Sequence, residues 1–222
     1  MTEQTDVNAI CEDVYKKTAA FYAKIQPVLK IVGNDFGYKI LYGPPKVNPP
    51  ILFIGYNPGG VYKDAKNGEE AGERIGWPKK HEYADEAADY RLAKNIRKLW
   101  NEDKKFLSEC VSLNYLFIRF PDKKSLPKYA GIEAFCAPEC ERIVRILKPK
   151  LIVVIGITTL HKKIFKASDA APIKRGNGDR LIQEGELWGL PAVATMHLSG
   201  AQISNEDMAR ISGYFKDKGL AG

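Results

Sequence analysis

Four short apolar runs, separated by longer helix-like segments, constrain the fold of this chain most strongly. The runs are residues 51–55, 110–113, 151–156 and 191–196. Apolar runs of about four to eight residues bounded by Gly and Pro are typical of strands buried on both faces. Strands that alternate with helices predict a parallel sheet. We therefore expect an α/β fold, a three-layer αβα sandwich around a central parallel, roughly four-stranded sheet.

The segments between these runs predict the remaining elements. Apolar residues at helical spacing predict an N-terminal helix over about 6–30 and further helices between the strands. Ser204, with Asp207 three residues later, has the pattern of a helix N-cap. The other expected elements are a strand at Tyr38–Tyr42, a helix at 86–102, a helix at 131–147, a short helix at Ile157–Lys166 and a small β segment at Leu181–Trp188.

Length and composition indicate one soluble domain. A chain of 222 residues is long enough for a sizeable core, and no stretch resembles a linker, so we expect a single domain over 1–222. A hydrophobic fraction of 45% excludes a disordered chain. No run approaches the roughly 18 apolar residues of a membrane span. The N-terminal residues are acidic and lack a secretory pattern, so we expect a cytoplasmic protein, associated with the nucleoid if bacterial.

The four cysteines predict neither a disulfide nor a metal site. They are Cys11, Cys110, Cys136 and Cys140, and no two have CxxC spacing. Cys136 and Cys140 would share a helix face, but structural zinc and iron–sulfur sites usually take four ligands. We favour small buried residues on a helix as the interpretation, and we expect no metal and no cofactor.

Polar side chains follow three of the predicted strands. Asn57 comes two residues after the first run, Asn114 directly after the second, and His197 directly after the fourth. Ligands of open parallel sheets bind beyond the carboxyl ends of the strands, so these residues are expected at one edge. Two amides and an imidazole suit the donor–acceptor edge of a nucleobase. Each also has a structural explanation: Asn57-Pro58-Gly59 is ordinary turn chemistry, Asn114 can cap a strand, and a histidine after a strand is more often structural.

The same segments, taken together, resemble the uracil-DNA glycosylase superfamily. Gly55-Tyr56-Asn57-Pro58-Gly59 is similar to the GxNPG first motif of its mismatch-specific/thymine-DNA and single-strand-selective branches. Residues 111–114 are similar to its second strand, which ends in a base-reading Asn. Residues 136–138 and 148–156 resemble its long helix and third strand. His197-Leu198-Ser199-Gly200 resembles the second catalytic motif, usually His-Pro-Ser. The order and spacing match across residues 50–215.

The resemblance implies a monofunctional DNA repair glycosylase. Such an enzyme flips uracil, or a related deaminated or modified pyrimidine, out of DNA and hydrolyses its N-glycosidic bond. In that role Asn57 positions the attacking water, His197 donates to O2 of the leaving base, and Asn114 reads the Watson–Crick edge. The other implied roles are base contact for Tyr56, Gly59 and Trp77, with Tyr83 as second stacking candidate, and phosphate contact for Ser199, Gly200 and Gln202.

The chain departs from the family pattern at four places. Asn57 replaces the Asp of the most active branch, and an amide cannot act as a general base, so we expect slower chemistry. Gly59 replaces a Tyr that excludes thymine, so 5-substituted pyrimidines are expected to fit. Leu198 replaces Pro, which alters the second loop. The small, polar residues 200–202 replace a bulky wedge, so flipping from duplex DNA is expected to be weak.

The charge balance suits a polyanionic partner. The formal net charge is +7, and basic residues predicted in loops are expected to contact phosphates. These residues are Lys79, Lys80, Lys123, Lys124, Lys128, Lys174, Arg175 and Arg180. We expect a monomer that binds DNA containing uracil or a modified pyrimidine, and no membrane. Two alternatives stay open: a non-catalytic nucleic-acid-binding member of the same fold, and an unrelated α/β enzyme that processes small nucleosides.

Overall fold

A computed structural model describes residues 3–31, 33–59, 77–120, 130–157, 164–199 and 203–220. The described chain is of mixed α/β class, as predicted. Its strands are β1 Leu52–Gly55, β2 Val111–Asn114, β3 Ile152–Ile155, β4 Phe165–Ala167, β5 Ile173–Lys174, β6 Arg180–Leu187 and β7 Leu190–Thr195. Its helices are α1 Glu3–Ile31, α2 Arg91–Leu99, α3 Lys104–Glu109, α4 Ala130–Leu147 and α5 Asn205–Asp217, with a 3-10 turn at Glu82–Ala84.

One mostly parallel sheet of seven strands organises these elements, so the expectation of roughly four strands was too low. The strand order is β2-β1-β3-β7-β6-β4, and β5 pairs with β6. Neighbours from β2 to β7 run parallel, whereas β6 is antiparallel to β7, β4 and β5. β6 confirms the small β segment expected at Leu181–Trp188, whereas β4 and β5 escaped the prediction because they are short and largely exposed.

Buried side chains form two apolar clusters that involve opposite faces of the strands. Successive side chains of a strand point to opposite faces. Accordingly, Leu52 and Ile54 belong to a cluster with residues of α1 and α4. Ile51 and Phe53 belong to a second cluster with residues of α2, α3 and α5. The parallel strands are therefore buried on both sides, which explains their continuous apolar runs.

Several local predictions are wrong for identifiable reasons. Tyr38–Tyr42 is not a strand, because its described β pairing consists of two isolated bridges, Tyr38 to Ile118 and Leu41 to Leu113. The helix expected over 86–102 spans only α2, since the backbone reaches positive φ at residues 101 and 102 and α3 then starts anew. The helix expected over Ile157–Lys166 lies partly outside the described residues, and its last two positions belong to β4, which pairs with β6.

The two terminal helices follow the prediction closely. α1 extends the expected helix by a few residues at its start. At α5 the capping box is present: Ser204 Oγ accepts from the Asp207 N–H at 3.1 Å, and Asp207 Oδ2 accepts from the Ser204 N–H at 2.9 Å. Each donor would otherwise lack a partner at the helix start, so this local pattern alone locates the helix. No helix in the described ranges is long and apolar enough to cross a membrane.

Candidate functional site

The parallel strands bring the three predicted polar residues to one edge of the sheet. Gly55 at the end of β1 pairs in register with Asn114 at the end of β2. On the far side of β3, Ile155 pairs with Thr195 at the end of β7. Asn57 and His197 follow β1 and β7 by two residues each. The carboxyl ends of β1, β2 and β7 therefore present Asn57, Asn114 and His197 along the edge at which such sheets bind ligands.

Asn57 is half-buried, and its amide nitrogen is held by main-chain carbonyls. Nδ2 donates to the carbonyl oxygens of Pro58 and Phe120, both at 3.3 Å. No donor to Oδ1 occurs among the residues that the structure describes. The amide oxygen is therefore the part of Asn57 that can accept a hydrogen bond from a water or a ligand.

The loop that carries Asn57 is fastened to the segment after β2. The N–H groups of Tyr115 and Leu116 donate to the carbonyls of Gly55 and Tyr56, both at 2.8 Å. The rings of Tyr56 and Tyr115 also stack, with centroids 6.2 Å apart and planes 26° apart. These contacts couple the position of the first motif to that of the strand that ends in Asn114.

Gly59 lies on the open side of the same loop. It is exposed, and a Cβ added there would meet nothing within 4 Å. Its carbonyl accepts from Nη1 of Arg119 at 3.3 Å, and Arg119 itself is buried. No described atom fills the space beside Gly59, and its fit for a 5-substituted pyrimidine stays a prediction. Arg119 was missed because nothing local distinguishes an arginine in that apolar segment.

Asn114 is 3% exposed, and its amide has a defined orientation. Nδ2 donates to Tyr42 Oη at 3.0 Å and lies 3.5 Å from the carbonyl oxygen of Lys39. Oδ1 lies toward Gly55, where an added Cβ would come within 2.9 Å of it. Only glycine fits at position 55 without moving this amide. Tyr42 and Lys39 were not identified from sequence, because they belong to a segment far from β2 along the chain.

A charged network supports Tyr42. The ammonium of Lys39 lies 4.3 Å from the centroid of the Tyr42 ring and forms an ion pair with Glu82. Tyr90 Oη donates to Glu82 Oε2 at 2.9 Å. Burial lowers the pKa of Lys39, although the Glu82 carboxylate opposes that shift. The half-buried pair thus places a cation over the face of the Tyr42 ring.

Replacement of Tyr42 by Phe should release the Asn114 amide. The variant keeps the ring over Lys39 but removes the acceptor of the Asn114 Nδ2 hydrogen bond, which contributes about 0.5–1.5 kcal/mol. We expect shifted and faster-exchanging side-chain amide signals of Asn114 in ¹⁵N NMR spectra. Tyr90→Phe is the matched control, because it removes a hydroxyl from the network without touching Asn114. Unchanged Asn114 signals in Tyr42→Phe would contradict the assigned contact.

His197 is held in one tautomer by the loop that follows it. Nδ1 accepts from the Ser199 N–H at 3.3 Å and lies 2.9 Å from Ser199 Oγ. A main-chain N–H can only donate, so the proton of the neutral ring sits on Nε2. The residue is exposed as a whole, yet burial of part of its ring lowers the pKa of His197. At neutral pH the site therefore offers an uncharged Nε2–H donor.

The second loop is anchored through Leu198. This side chain is fully buried in the cluster that includes α2 and α5. Its carbonyl accepts from Nδ2 of Asn95 on α2 at 2.5 Å. Ser199 directs its hydroxyl at His197, and a hydroxyl that donates there cannot also donate to a phosphate. The phosphate roles of Gly200 and Gln202 fall outside the described residues.

Gly156 supports the His197 ring from β3. It has φ +105°, and an added Cβ would lie 3.3 Å from His197 Cδ2. Its N–H donates to the Thr195 carbonyl at 3.0 Å. A glycine that closes an apolar run is a sequence sign of close approach, but the sequence does not say that His197 is the neighbour.

Substitution of Gly156 by Ala should disturb His197. The positive φ costs an L residue about 1–3 kcal/mol, and the new methyl presses on the imidazole. We expect lower stability in urea and shifted His197 ring signals in NMR spectra. Gly213→Ala in α5 is the control, because its added Cβ meets nothing within 4 Å and Ala favours helix by about 0.5–1 kcal/mol. Equal behaviour of the two variants would count against the Gly156 contact.

The aromatic candidates differ in their surroundings. Trp77 is half-buried and meets the Tyr15 ring of α1 edge-on at a centroid distance of 6.1 Å. It therefore packs the start of the described range 77–120 against α1. Its stacking on a base stays a prediction. Tyr83 is 3% exposed and packs edge-on against Phe53 at 5.5 Å. Its ring is part of the core and is not open to a flipped base.

Most of the basic residues predicted to contact phosphates lie in strands, form an ion pair or fall outside the described residues. Lys174 and Arg180 lie in β5 and β6, not in loops, because that segment pairs as antiparallel sheet. Arg175 binds Asp207 with an N–O distance of 2.8 Å. Lys123, Lys124 and Lys128 are outside the described residues. Within the described ranges no three His, Cys, Asp or Glu side chains group as metal ligands, and all four cysteines are buried, free thiols.

Comparison with known proteins adds no family to these observations. No protein-family model matches the chain, and no curated protein sequence matches it either.

Proposed function

We propose that this protein is a DNA glycosylase that removes uracil, or a related deaminated or modified pyrimidine, from DNA. The state of His197 is the observation that supports the proposal most. Its Nδ1 accepts from the Ser199 N–H, so the neutral ring offers an Nε2–H donor beyond the carboxyl end of β7. Such a donor stabilises the negative charge that develops on O2 of a departing uracil.

In the proposed reaction a water attacks C1′ of the deoxyribose, the C1′–N1 bond breaks, and its electron pair leaves with the base. Asn57 holds the water through Oδ1, since Nδ2 already donates to two carbonyls. An amide takes no proton from the water, so the proton passes to solvent and slow turnover is expected. Asn114 accepts the N3–H of uracil through Oδ1, and cytosine lacks that hydrogen.

Several finer features belong to the same proposal. The fold is a three-layer αβα sandwich whose parallel strands β2, β1, β3 and β7 form the part shared with the uracil-DNA glycosylase superfamily. Tyr56, Gly59 and Trp77 contact the base, and the loop from Ser199 to Gln202 contacts phosphate. The protein acts as a cytoplasmic monomer on DNA, without a cofactor. The motifs Gly55–Gly59 and His197–Gly200 support this assignment by resemblance.

Burial of Asn114 favours a second candidate, a nucleic-acid-binding member of the same fold without turnover. At 3% exposure, Asn114 can meet a base only after neighbouring side chains move. A protein that binds DNA without completing this opening would hold the strand and release no base.

Base release from labelled oligonucleotides separates the candidates. The substrates carry one uracil in a single strand, opposite G and opposite A, and alkali cleaves the strand at abasic sites; thymine and cytosine strands are controls. We expect cleavage at uracil, strongest in the single strand, where unstacking costs least. Asn57→Ala should abolish release and leave DNA affinity largely intact. Salt-dependent DNA binding without cleavage at enzyme excess would favour the second candidate, and absence of both would refute the glycosylase proposal.

A further inference from the structure

A basic cleft lies beside α3, the helix that precedes the edge strand β2. It encloses about 390 Å³ and includes residues of α3, which leads into the start of β2. We name it the lysine cleft after its five lysines, which are Lys46, Lys79, Lys80, Lys104 and Lys105. Pro44, His81, Ala84 and Ser108 are the other described residues of its lining, and no carboxylate occurs in this described part of the wall.

Three of the lysines have no acidic partner among the described residues. Lys79, Lys80 and Lys105 are exposed, and no described carboxylate lies within ion-pair distance of their ammonium groups. Like charges gathered on a concave surface raise the local potential and attract anions. The unpaired lysines therefore leave the cleft with surplus positive charge.

The other two lysines have acidic partners outside the wall of the cleft. Lys46 Nζ lies 2.9 Å from Glu109 Oε1, and Lys104 forms an ion pair with Glu86. Both glutamates are exposed, and ion pairs at the surface contribute little to stability. An incoming oxyanion can therefore compete with Glu109 and Glu86 for these ammonium groups.

His81 supplies a second, independent feature of the same wall. It is 2% exposed, and its Nε2 lies 2.9 Å from Ser112 Oγ. Nδ1 is buried and has no hydrogen-bond partner in the described part of the chain. Burial, together with the charge of Lys46, lowers the pKa of His81 to about 3, so the ring is neutral. A buried polar atom without a hydrogen-bond partner destabilises the folded state.

We infer that the lysine cleft binds phosphate groups of a polyvalent ligand. Several separated ammonium groups match an ion with several charged oxygens better than a single carboxylate. When the Ser112 hydroxyl donates to Nε2 of His81, Nδ1 carries the hydrogen. Nδ1 can then donate to a ligand oxygen or to a water that the ligand orders. The inference does not depend on glycosylase activity, because Asn57, Asn114 and His197 are not among the described residues that line the cleft. The shared chemistry is phosphate, from a small polyphosphate or from successive nucleotides of a single strand.

Binding of two probes to the full chain tests the inference. The probes are inorganic tripolyphosphate and a single-stranded DNA dodecamer without uracil, each titrated by calorimetry at several salt concentrations. In the triple variant Lys79→Gln, Lys80→Gln, Lys105→Gln we expect affinity to fall at least about tenfold at low salt. For the dodecamer, the loss of three phosphate contacts makes the negative slope of log affinity against log salt shallower by about 2. The matched control is a second triple variant with equal charge loss on exposed faces of α1 and α5: Lys16→Gln, Lys24→Gln, Lys216→Gln.

The outcomes separate the two phosphate sources and the two proposals. Binding of both probes, lost only in the cleft variant, supports a general phosphate site; binding of the dodecamer alone supports a track for nucleic acid. Tripolyphosphate should also shift the His81 ring signals in NMR spectra. Equal loss in the control variant, or no binding of either probe, would overturn the inference. A protein that binds tripolyphosphate at these lysines, but neither releases uracil nor binds the uracil oligonucleotides, would refute the proposed function and support the inference about the cleft.

Discussion

His197→Ala is expected to lower the rate of uracil release by about 10²–10³-fold, the usual effect of removing one donor from a developing oxyanion. The Nε2–H of His197 is oriented by the Ser199 N–H on Nδ1, and the ring lies where a Cβ added at Gly156 would come within 3.3 Å of Cδ2. Without the ring, the charge on the leaving base has no donor from β7. Single-turnover assays with uracil in a single strand measure the chemical step directly.

Ser199→Ala is the matched control for His197→Ala. It removes the hydroxyl beside Nδ1 and leaves the main-chain N–H that sets the tautomer. We expect its rate to stay within about tenfold of the wild type, since one neutral hydrogen bond contributes only about 0.5–1.5 kcal/mol. Thermal unfolding of both variants shows whether each is folded. Full activity in a folded His197→Ala protein would remove His197 from the proposed mechanism.

Trp100→Ala is expected to lower the free energy of unfolding by about 3–5 kcal/mol, the range for truncation of large buried aromatics. Trp100 is fully buried after α2 and meets Phe53 edge-on at 5.2 Å and Phe215 at 4.9 Å. Its Nε1–H donates to the Leu220 carbonyl at 2.8 Å. The ring thus joins β1, α5 and the end of the described chain. The loss is a large share of the roughly 5–15 kcal/mol that stabilises a domain.

Urea unfolding of two further variants makes the Trp100 prediction testable even where Trp100→Ala does not fold. Trp100→Phe keeps an aromatic ring but loses volume and the Nε1–H donor, so a smaller loss is expected. Ile31→Ala is the control, because Ile31 is 84% exposed and surface changes usually stay within about 0.5 kcal/mol. A loss at Trp100 no larger than that at Ile31 would contradict its assigned place in the core.

Local chemistry made much of the fold readable from the sequence. The run at 151–156 marks β3 because a strand covered on both faces must be apolar throughout. Ser204 and Asp207 mark the start of α5 because a helix leaves its first N–H groups without partners. Asn57, Asn114 and His197 were found for a similar reason, since each stands near the carboxyl end of a recognisable strand.

Contacts between distant residues had no such local mark. Tyr42 and Asn114 are 72 residues apart, and Asn95 and Leu198 are 103 apart, yet these pairs orient the two sides of the candidate site. The short, exposed strands β4 and β5 were also missed, because they form by pairing with β6 and their own sequences show no strand pattern. The parallel strands and the polar residues at their ends could be predicted from local sequence patterns. The neighbours that hold those residues could not, because hydrogen bonding and packing depend on proximity in space and leave no period along the chain.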